Sequence, residues 1–218
     1  MIDALIFDLD GTLVDSWPGI EYAAQAAWKA VQSDRTCPPL RPLIGPPIRE
    51  MFQRAWPEAS TDTLYALERA FRKIYDTDGW QKTTPYPGVV ETLARLKATG
   101  HVCLGVTNKP RLATQRILEQ CDLQSYFREF LSPDSGEPVY KSKAEAMFVL
   151  LARYHLNPSH TLLAGDSLDD ARAAQECGLR FAAFTRGYGH IRHQTGLPID
   201  LRFESFIDLL HFIDDEGV

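Results

Sequence analysis

Three short apolar runs in the 218-residue chain each end abruptly in a cluster of small or charged polar residues. The runs begin at residues 4, 101 and 161, and the clusters that end them are Asp8-Leu9-Asp10, Thr107-Asn108-Lys109 and Gly165-Asp166-Ser167. An abrupt end of this kind is typical of a buried strand that leaves a sheet into a turn. We therefore predict three buried strands that carry polar residues at their carboxyl ends.

Helix and strand patterns alternate after residue 84. Apolar residues recur at helix spacing over 89–96, 112–118, 146–154, 171–177 and 206–213, and further short strands are predicted at 130–131 and 181–184. Helices placed between buried strands indicate parallel crossovers. The pattern predicts an α/β fold with a doubly wound, Rossmann-like parallel-sheet core over residues 1–15 and 84–218.

The segment between the first strand and this core has a different character. Apolar residues repeat at helix spacing around 20–31, 48–55 and 64–75, and two proline-rich loops separate these stretches. We predict that residues 16–83 form a small all-helical domain, inserted after the first strand.

Charge and composition exclude several classes of partner. The chain carries 23 Lys and Arg against 29 Asp and Glu, a net charge of −6, so it has no basic surplus for nucleic acid or an anionic membrane. The amino-terminal residues resemble neither a signal peptide nor a spanning helix, and a cytoplasmic protein is expected. The four cysteines form no CxxC pair, which argues against a zinc ribbon or thiol redox site. The oligomeric state stays open.

Ligands of open parallel sheets bind outside the carboxyl ends of the strands, so the three polar clusters should converge. Asp8, Asp166 and the backbone carbonyl of Asp10, with Asp170 as a further candidate, would form an oxygen-rich, negatively charged pocket. Without a cation these carboxylates would repel one another. Hard oxygen ligands of this kind suit Mg²⁺, which proteins commonly pair with a phosphate.

The same clusters supply groups that a phosphoryl transfer needs. Thr107 and Asn108 offer hydrogen-bond donors, and a nearby lysine offers positive charge. Such transfer depends mostly on positioning and charge stabilisation, and a carboxylate can act as its covalent nucleophile. The residues therefore predict a magnesium-dependent site for phosphoryl chemistry.

Several motifs resemble those of the haloacid dehalogenase-like hydrolase superfamily. The segment Asp8-Leu9-Asp10-Gly11-Thr12-Leu13-Val14-Asp15-Ser16 is similar to its first motif, Thr107-Asn108-Lys109 to the second, and Gly165-Asp166-Ser167-Leu168-Asp169-Asp170 to the fourth. The third motif needs a lysine, and either Lys141 or Lys143 could serve, with a narrow preference for Lys141. The all-helical domain over residues 16–83 resembles the cap domain of this superfamily. Together with this cap domain and Arg186-Gly187-Tyr188-Gly189, the motifs look most like the phosphoglycolate phosphatase branch.

The resemblance implies a role for each matching residue. Asp8 would attack phosphorus and form an aspartyl-phosphate, and Asp10 would protonate the leaving alcohol and later activate water. Asp8, the Asp10 carbonyl and Asp166 would hold Mg²⁺, with Asp170 acting nearby or through a water molecule. Thr107 and Asn108 would bind the phosphoryl oxygens, helped by the backbone around Gly11 and Thr12. The motif lysine would offset charge between nucleophile and phosphate.

The function predicted on these grounds is a Mg²⁺-dependent phosphatase for a small phosphorylated metabolite, with phosphoglycolate as the leading substrate by resemblance. A sugar phosphomutase and a phosphonate hydrolase are the enzymatic alternatives. A dehalogenase is less consistent with Asp10, because its reaction has no alcohol leaving group to protonate. A phosphate-sensing or partner-binding protein without turnover is the non-enzymatic alternative.

Overall fold

Six parallel strands form a sheet in one of the two units into which the chain divides. The computed structural model describes residues 1–32, 34–45, 47–189, 191–194 and 196–215. The first unit comprises Met1–Asp15 and Pro85–Val218, and the second comprises Ser16–Thr84. The strands are β1 (Ala4–Phe7), β2 (Val14–Asp15), β3 (Thr84–Pro85), β4 (Val102–Val106), β5 (Glu129–Leu131), β6 (Thr161–Gly165), β7 (Arg180–Phe184) and β8 (Leu201–Phe203). The helices are α1 (Trp17–Val31), α2 (Ile48–Ala55), α3 (Thr61–Thr77), α4 (Val89–Ala98), α5 (Arg111–Gln120), α6 (Lys143–Arg153), α7 (Leu168–Cys177) and α8 (Phe206–Asp215).

The strand order of the sheet is β5-β4-β1-β6-β7-β8, and each neighbouring pair is parallel. The chain runs outward from β1 through β4 to β5 and then returns to β6 on the other side of β1. The strand order therefore reverses around β1, which is where open α/β sheets bind their ligands, at the carboxyl ends of the strands. The predicted parallel α/β fold is confirmed.

Strand β1 lies at the centre of this sheet and is buried along its whole length. Its near-continuous apolar sequence follows from this position, since a strand covered on both faces has no solvent side to mark with polar residues. Helices α6 and α7 pack against each other and contribute Met147, Leu150, Ala171 and Ala174 to a core that includes Ile6 of β1. Burial of this kind contributes roughly 25 cal/mol per Å² of apolar surface.

Helix α6 begins earlier than the periodicity of residues 146–154 predicted. Ser142 precedes it, and its hydroxyl accepts a hydrogen bond from the backbone N–H of Glu145 at 3.2 Å. This cap satisfies a backbone donor that a helix start otherwise leaves without a partner. The helix therefore begins at Lys143, which places that lysine in the first turn. Helix α7 ends before Gly178, whose left-handed backbone (φ +69°) favours glycine.

The second unit is built around α1 and α3, which make its most extensive helix–helix contact. Helix α3 begins after Ser60, whose hydroxyl accepts a hydrogen bond from the N–H of Thr63. The core of this unit contains the rings of Trp28, Phe52 and Phe71. The ring centroid of Phe52 lies 6.3 Å from that of Trp28 and 6.4 Å from that of Phe71. Aromatic contacts at this spacing add to the area that each ring buries.

Within the described residues, no helix is both long and apolar enough to cross a lipid bilayer.

Candidate active site

Asp8 follows β1 directly and is buried at the carboxyl end of the sheet. The ammonium nitrogen Nζ of Lys143 donates to Asp8 Oδ1 at 2.7 Å and to Asp170 Oδ1 at 2.5 Å. The exposed fractions of the three side chains are only 5%, 6% and 0% for Lys143, Asp8 and Asp170. Charged groups that are this well buried need partners, because desolvation strongly disfavours an isolated charge.

Three carboxylates meet at this point. Asp8, Asp166 and Asp170 are all buried, and each offers an oxygen within 4.8 Å of the others. They come from the ends of β1 and β6 and from the first turn of α7, so residues far apart in the sequence meet at the reversal of strand order. The predicted convergence of the first and fourth motifs is present in the structure.

Asp166 is held by the loop that follows β7. Its Oδ2 accepts hydrogen bonds from the backbone N–H groups of Tyr188 at 2.9 Å and Gly189 at 2.8 Å. The loop approaches so closely that a Cβ on Gly187 would lie 2.4 Å from Asp166 Oδ2. A Cβ on Gly11 would lie equally close, and its positive φ of +86° also favours glycine. Both glycines are therefore needed to seat this carboxylate.

Asp170 connects the lysine to the start of α7. Its Oδ2 accepts hydrogen bonds from the Ser167 backbone N–H at 3.0 Å and from the Ser167 hydroxyl at 2.5 Å, and the same hydroxyl accepts from the Asp170 N–H. This reciprocal arrangement is a capping box. Because Oδ2 is occupied by the cap, Oδ1 is the oxygen that faces Lys143.

The close packing of these charges shifts their pKa values. Burial raises the pKa of Asp8 well above its usual range; Lys143 opposes this shift, and the neighbouring Asp170 and Asp166 add to it. Burial and the nearby Asp170 raise the pKa of Asp166 to about 7, although the N–H groups of Gly189 and Tyr188 act in the opposite direction. For Lys143, burial lowers the pKa, but the two carboxylates outweigh it and the net shift is upward.

This imbalance indicates a cation site. Three buried carboxylates face one ammonium group, and the raised pKa values of Asp8 and Asp166 show that full ionisation is unfavourable without further positive charge. A hard divalent cation with oxygen ligands would supply that charge. The oxygen donors of Asp8, Asp166 and Asp170 fit such a cation.

The hydroxyl of Thr12 lies between two of the carboxylates. Its Oγ1 is 3.4 Å from both Asp8 Oδ2 and Asp166 Oδ1, and the side chain is fully buried. A hydroxyl carries a single proton, so it can donate to only one of these oxygens at a time. The Thr12 hydroxyl therefore contacts the carboxylates themselves, and the predicted phosphate-binding role of the backbone at this position stays a prediction.

The second motif lies at the end of β4. Thr107 is buried, and its Oγ1 accepts a hydrogen bond from the Lys109 backbone N–H at 3.1 Å. Asn108 is exposed, and its Nδ2 donates to Asp169 Oδ2 at 2.9 Å. Asp169 is a surface residue, as its position suggests, but this contact links the second and fourth motifs. Asp169 was not predicted to belong to the site, and no pattern in the sequence indicates its contact with Asn108.

Asp10 lies apart from the three-carboxylate group. Its Oδ1 is 3.2 Å from Nζ of Lys109, close enough for an ion pair. The same oxygen is buried and accepts no well-directed hydrogen bond within the described residues. The metal ligand predicted from Asp10 is its backbone carbonyl, and the side chain is a separate group that pairs with Lys109.

The structure separates the two candidate lysines. The side chain of Lys143 is buried between Asp8 and Asp170, whereas Lys141 is exposed. The backbone N–H of Lys141 donates to Glu145 Oε2 at 2.6 Å, which fixes it just outside α6. The narrow preference for Lys141 is therefore replaced by Lys143, because the earlier helix start turns Lys143 toward the carboxylates.

Comparison with known proteins agrees with this geometry. A family model described as haloacid dehalogenase-like hydrolase matches residues 5–184. The chain is 33% identical to phosphoglycolate phosphatase 1 of Pseudomonas aeruginosa, over 96% of this chain and 79% of the relative. It is 32% identical to phosphoglycolate phosphatase of Vibrio vulnificus, over 97% and 96% of the two chains. A solved structure of a predicted phosphoglycolate phosphatase from Haemophilus somnus is similar, with a TM-score of 0.82, 29% identity, and coverage of 97% and 98%. The chain therefore belongs to the haloacid dehalogenase-like hydrolases.

Proposed function

We propose that this hydrolase is a Mg²⁺-dependent phosphatase that cleaves a small-molecule phosphomonoester through an aspartyl-phosphate on Asp8. The observation that carries the proposal is the position of the Asp8 carboxylate, which is buried with Asp166 and Asp170 and is bonded to Lys143 at 2.7 Å. A carboxylate fixed at the reversal point of the sheet, with a cation site and an ammonium beside it, is suited to attack phosphorus.

In the first half-reaction, an Asp8 oxygen forms a bond to phosphorus and the bond from phosphorus to the ester oxygen breaks. The departing alkoxide takes a proton from the Asp10 carboxyl group and leaves as an alcohol. Lys143 holds Asp8 Oδ1 in place, and its positive charge lowers the repulsion between the carboxylate and the approaching phosphate.

In the second half-reaction, Asp10 removes a proton from a water molecule as that water attacks phosphorus. The bond between phosphorus and the Asp8 oxygen breaks, so Asp8 is regenerated and inorganic phosphate leaves. One carboxyl group thus acts first as an acid and then as a base, and each step restores the form that the next one needs.

The residues proposed to hold Mg²⁺ are Asp8, Asp166 and the backbone carbonyl of Asp10, with Asp170 binding directly or through water. When bound, the ion supplies positive charge that stabilises the phosphoryl oxygens in the transition state. Thr107 and Asn108 are proposed to donate hydrogen bonds to those oxygens, with backbone N–H groups around Gly11. Together these residues orient the phosphoryl group for in-line attack.

A small phosphorylated metabolite is the proposed substrate class, with phosphoglycolate as the leading candidate. The support for it is the agreement between the motif resemblance and the names of the relatives, phosphoglycolate phosphatases that align over nearly the whole chain. The net charge of −6 also disfavours a polyanionic substrate such as nucleic acid.

The test is release of inorganic phosphate from a panel of phosphorylated metabolites, with Mg²⁺ and with a chelator. Asp8→Asn removes the nucleophile and should reduce release to background. Asp62→Asn makes the same substitution at an exposed position in the first turn of α3 and should match the wild type. Turnover retained in Asp8→Asn would refute the covalent mechanism, and no release from any phosphomonoester would refute the proposed activity.

A further inference from the structure

The ion pair between Lys109 and Asp10 connects two of the loops that form the site. Lys109 follows β4 and Asp10 follows β1, which are adjacent strands. The ammonium nitrogen lies 3.2 Å from Asp10 Oδ1, and the exposed fraction of the Lys109 side chain is only 8%. Surface ion pairs contribute little, but a pair shielded from water holds its geometry better.

The backbone on each side of this pair is fixed by its own hydrogen bonds. The N–H of Lys109 donates to Thr107 Oγ1 at 3.1 Å, and its carbonyl lies 3.4 Å from the Thr114 hydroxyl. On the other side, Asp10 forms a bridge with Val14 in the turn after β1. The ion pair therefore joins two rigid segments and can set the direction of the Asp10 carboxylate.

We propose that Lys109 is a positioning residue that holds the Asp10 carboxyl group where it can exchange a proton with the leaving oxygen. This inference rests on the proposed function, in which Asp10 is the acid and base. The exposed fraction of the Asp10 side chain is 22%, enough for it to rotate toward water if nothing held it. The ion pair through Oδ1 draws the carboxylate toward Lys109 and leaves the second oxygen to carry the proton.

A role for Lys109 in binding the phosphoryl group is the rival explanation, and the two roles have different kinetic consequences. Replacing a residue that acts through the general acid slows the hydrolysis of an ester more when its leaving oxygen is more basic. A residue that binds the phosphoryl group affects all phosphate esters alike, because that group is common to them.

The experiment compares phenyl phosphate with p-nitrophenyl phosphate, two esters of similar size whose leaving groups differ in basicity. In the presence of Mg²⁺, Lys109→Met should lower kcat/KM for phenyl phosphate by roughly 10- to 100-fold, a part of the usual general-acid contribution. The kcat/KM for p-nitrophenyl phosphate should fall by less than about 3-fold, since a good leaving group gains little from protonation. The ratio kcat/KM is compared because it covers only the half-reaction in which the leaving oxygen takes its proton, whereas kcat also includes hydrolysis of the aspartyl-phosphate, which is the same for both esters. Lys109→Gln should give the same split, and it serves if the Met variant does not fold.

Two further variants complete the test. Lys97→Met removes an exposed lysine from α4 of the same unit and should leave both rates within about 2-fold of the wild type. In an Asp10→Asn background, Lys109→Met should have no additional effect on the leaving-group preference, because Lys109 acts through the Asp10 carboxyl group that this variant lacks.

The inference is overturned if Lys109→Met lowers kcat/KM equally for both esters, or leaves kcat/KM intact for both. These outcomes differ from failure of the proposed function, which would appear as absence of Mg²⁺-dependent hydrolysis by the wild-type protein. An active wild type combined with an equal loss on both esters would assign Lys109 to phosphate binding instead.

Discussion

Replacing Lys143 by methionine should destabilise the metal-free protein far more than the same replacement at Lys141. The Lys143 ammonium is bonded to Asp8 at 2.7 Å and Asp170 at 2.5 Å, and all three side chains are at most 6% exposed. Methionine fills a similar volume but leaves the buried carboxylates without their cation. Lys141 is exposed, so its replacement removes only a solvated charge.

The magnitude follows from the burial of the pair. Removing one partner of a buried ion pair typically costs about 3–5 kcal/mol in the free energy of unfolding. The lower end applies here, because the pKa of Asp8 is already raised and the carboxyl group can take up a proton instead of remaining charged. We expect a loss of about 3 kcal/mol for Lys143→Met, or a fall in Tm of about 6–12 °C for a chain of this length. Lys141→Met should change the free energy by less than about 0.5 kcal/mol.

Unfolding in urea at neutral pH, with a chelator present, measures both variants. Far-UV circular dichroism is the suitable signal, because all four tryptophans (Trp17, Trp28, Trp56 and Trp80) lie in the Ser16–Thr84 unit and would not report directly on the core. Saturating Mg²⁺ should shrink the loss in Lys143→Met, since a bound cation supplies part of the missing charge.

The same two variants should differ in activity. Lys143→Met is expected to lower kcat by roughly 100-fold or more, the usual effect of removing one group that stabilises transition-state charge, while Lys141→Met retains wild-type kcat. If both variants lost equal stability, or if Lys141→Met were the inactive one, the assignment of the motif lysine to Lys143 would be refuted.

Three other substitutions probe the surroundings of the pocket. In the metal-free protein the pKa of Asp166 is about 7, against 3.8 in the unfolded chain, so between those pH values the folded chain holds a proton that the unfolded chain has lost. The free energy of unfolding of the wild type relative to Asp166→Asn should therefore fall as the pH rises from 4 to 7. Urea unfolding that showed no such difference would contradict the pKa shift. Asp169→Ala removes the 2.9 Å contact to Asn108 and should raise KM about 5-fold at unchanged Tm, measured by steady-state kinetics. Gly187→Ala places a methyl group 2.4 Å from Asp166 Oδ2, so we expect Mg²⁺ affinity to fall at least about 10-fold in calorimetric titration and stability to drop by about 1–3 kcal/mol.

The central strands and the position of the site could be predicted from the sequence. Strand β1 and strand β6 are covered on both faces, so their sequences are almost entirely apolar and stop sharply where the chain reaches the ligand crevice. Because parallel strands end at the same edge, Asp8 and Asp166 could be placed together without any knowledge of side-chain contacts. The fold and the carboxylate group followed from this one argument.

Short or edge elements were harder to predict. Strand β8 has only three residues and lies at the edge of the sheet, where half-exposed positions break the apolar pattern. The choice between Lys141 and Lys143 depended on where α6 begins, and apolar periodicity fixes helix ends poorly. A local signal was present: Ser142 is followed three residues later by Glu145, the spacing of a capping box, and this would have placed Lys143 in the first turn.

Contacts between motifs could not be predicted, because they depend on distances across the sheet. Asn108 and Asp169 follow β4 and β6, which are separated by β1. Lys109 and Asp10 follow β4 and β1, which are adjacent, and all of these side chains could equally have pointed into water. Sequence spacing determines which face a residue occupies but not which polar partner it meets. These contacts set the orientation of groups whose chemistry the sequence had already indicated.

The pocket is arranged for charge chemistry at the expense of stability. Well-packed apolar side chains often stabilise a protein as much as a buried ion pair does, or more. The raised pKa values of Asp8 and Asp166 indicate that the charged form of these carboxylates is disfavoured without a cation. In the metal-free chain, the burial of these two carboxylates therefore lowers the stability despite their hydrogen bonds. A ligand that brings positive charge explains the burial, because the repulsion between the carboxylates then becomes part of the free energy that drives metal binding. On this reasoning, at a pH above 7, Asp166→Asn should be the more stable protein in chelator and the less stable one in saturating Mg²⁺. A variant that was less stable under both conditions would contradict it.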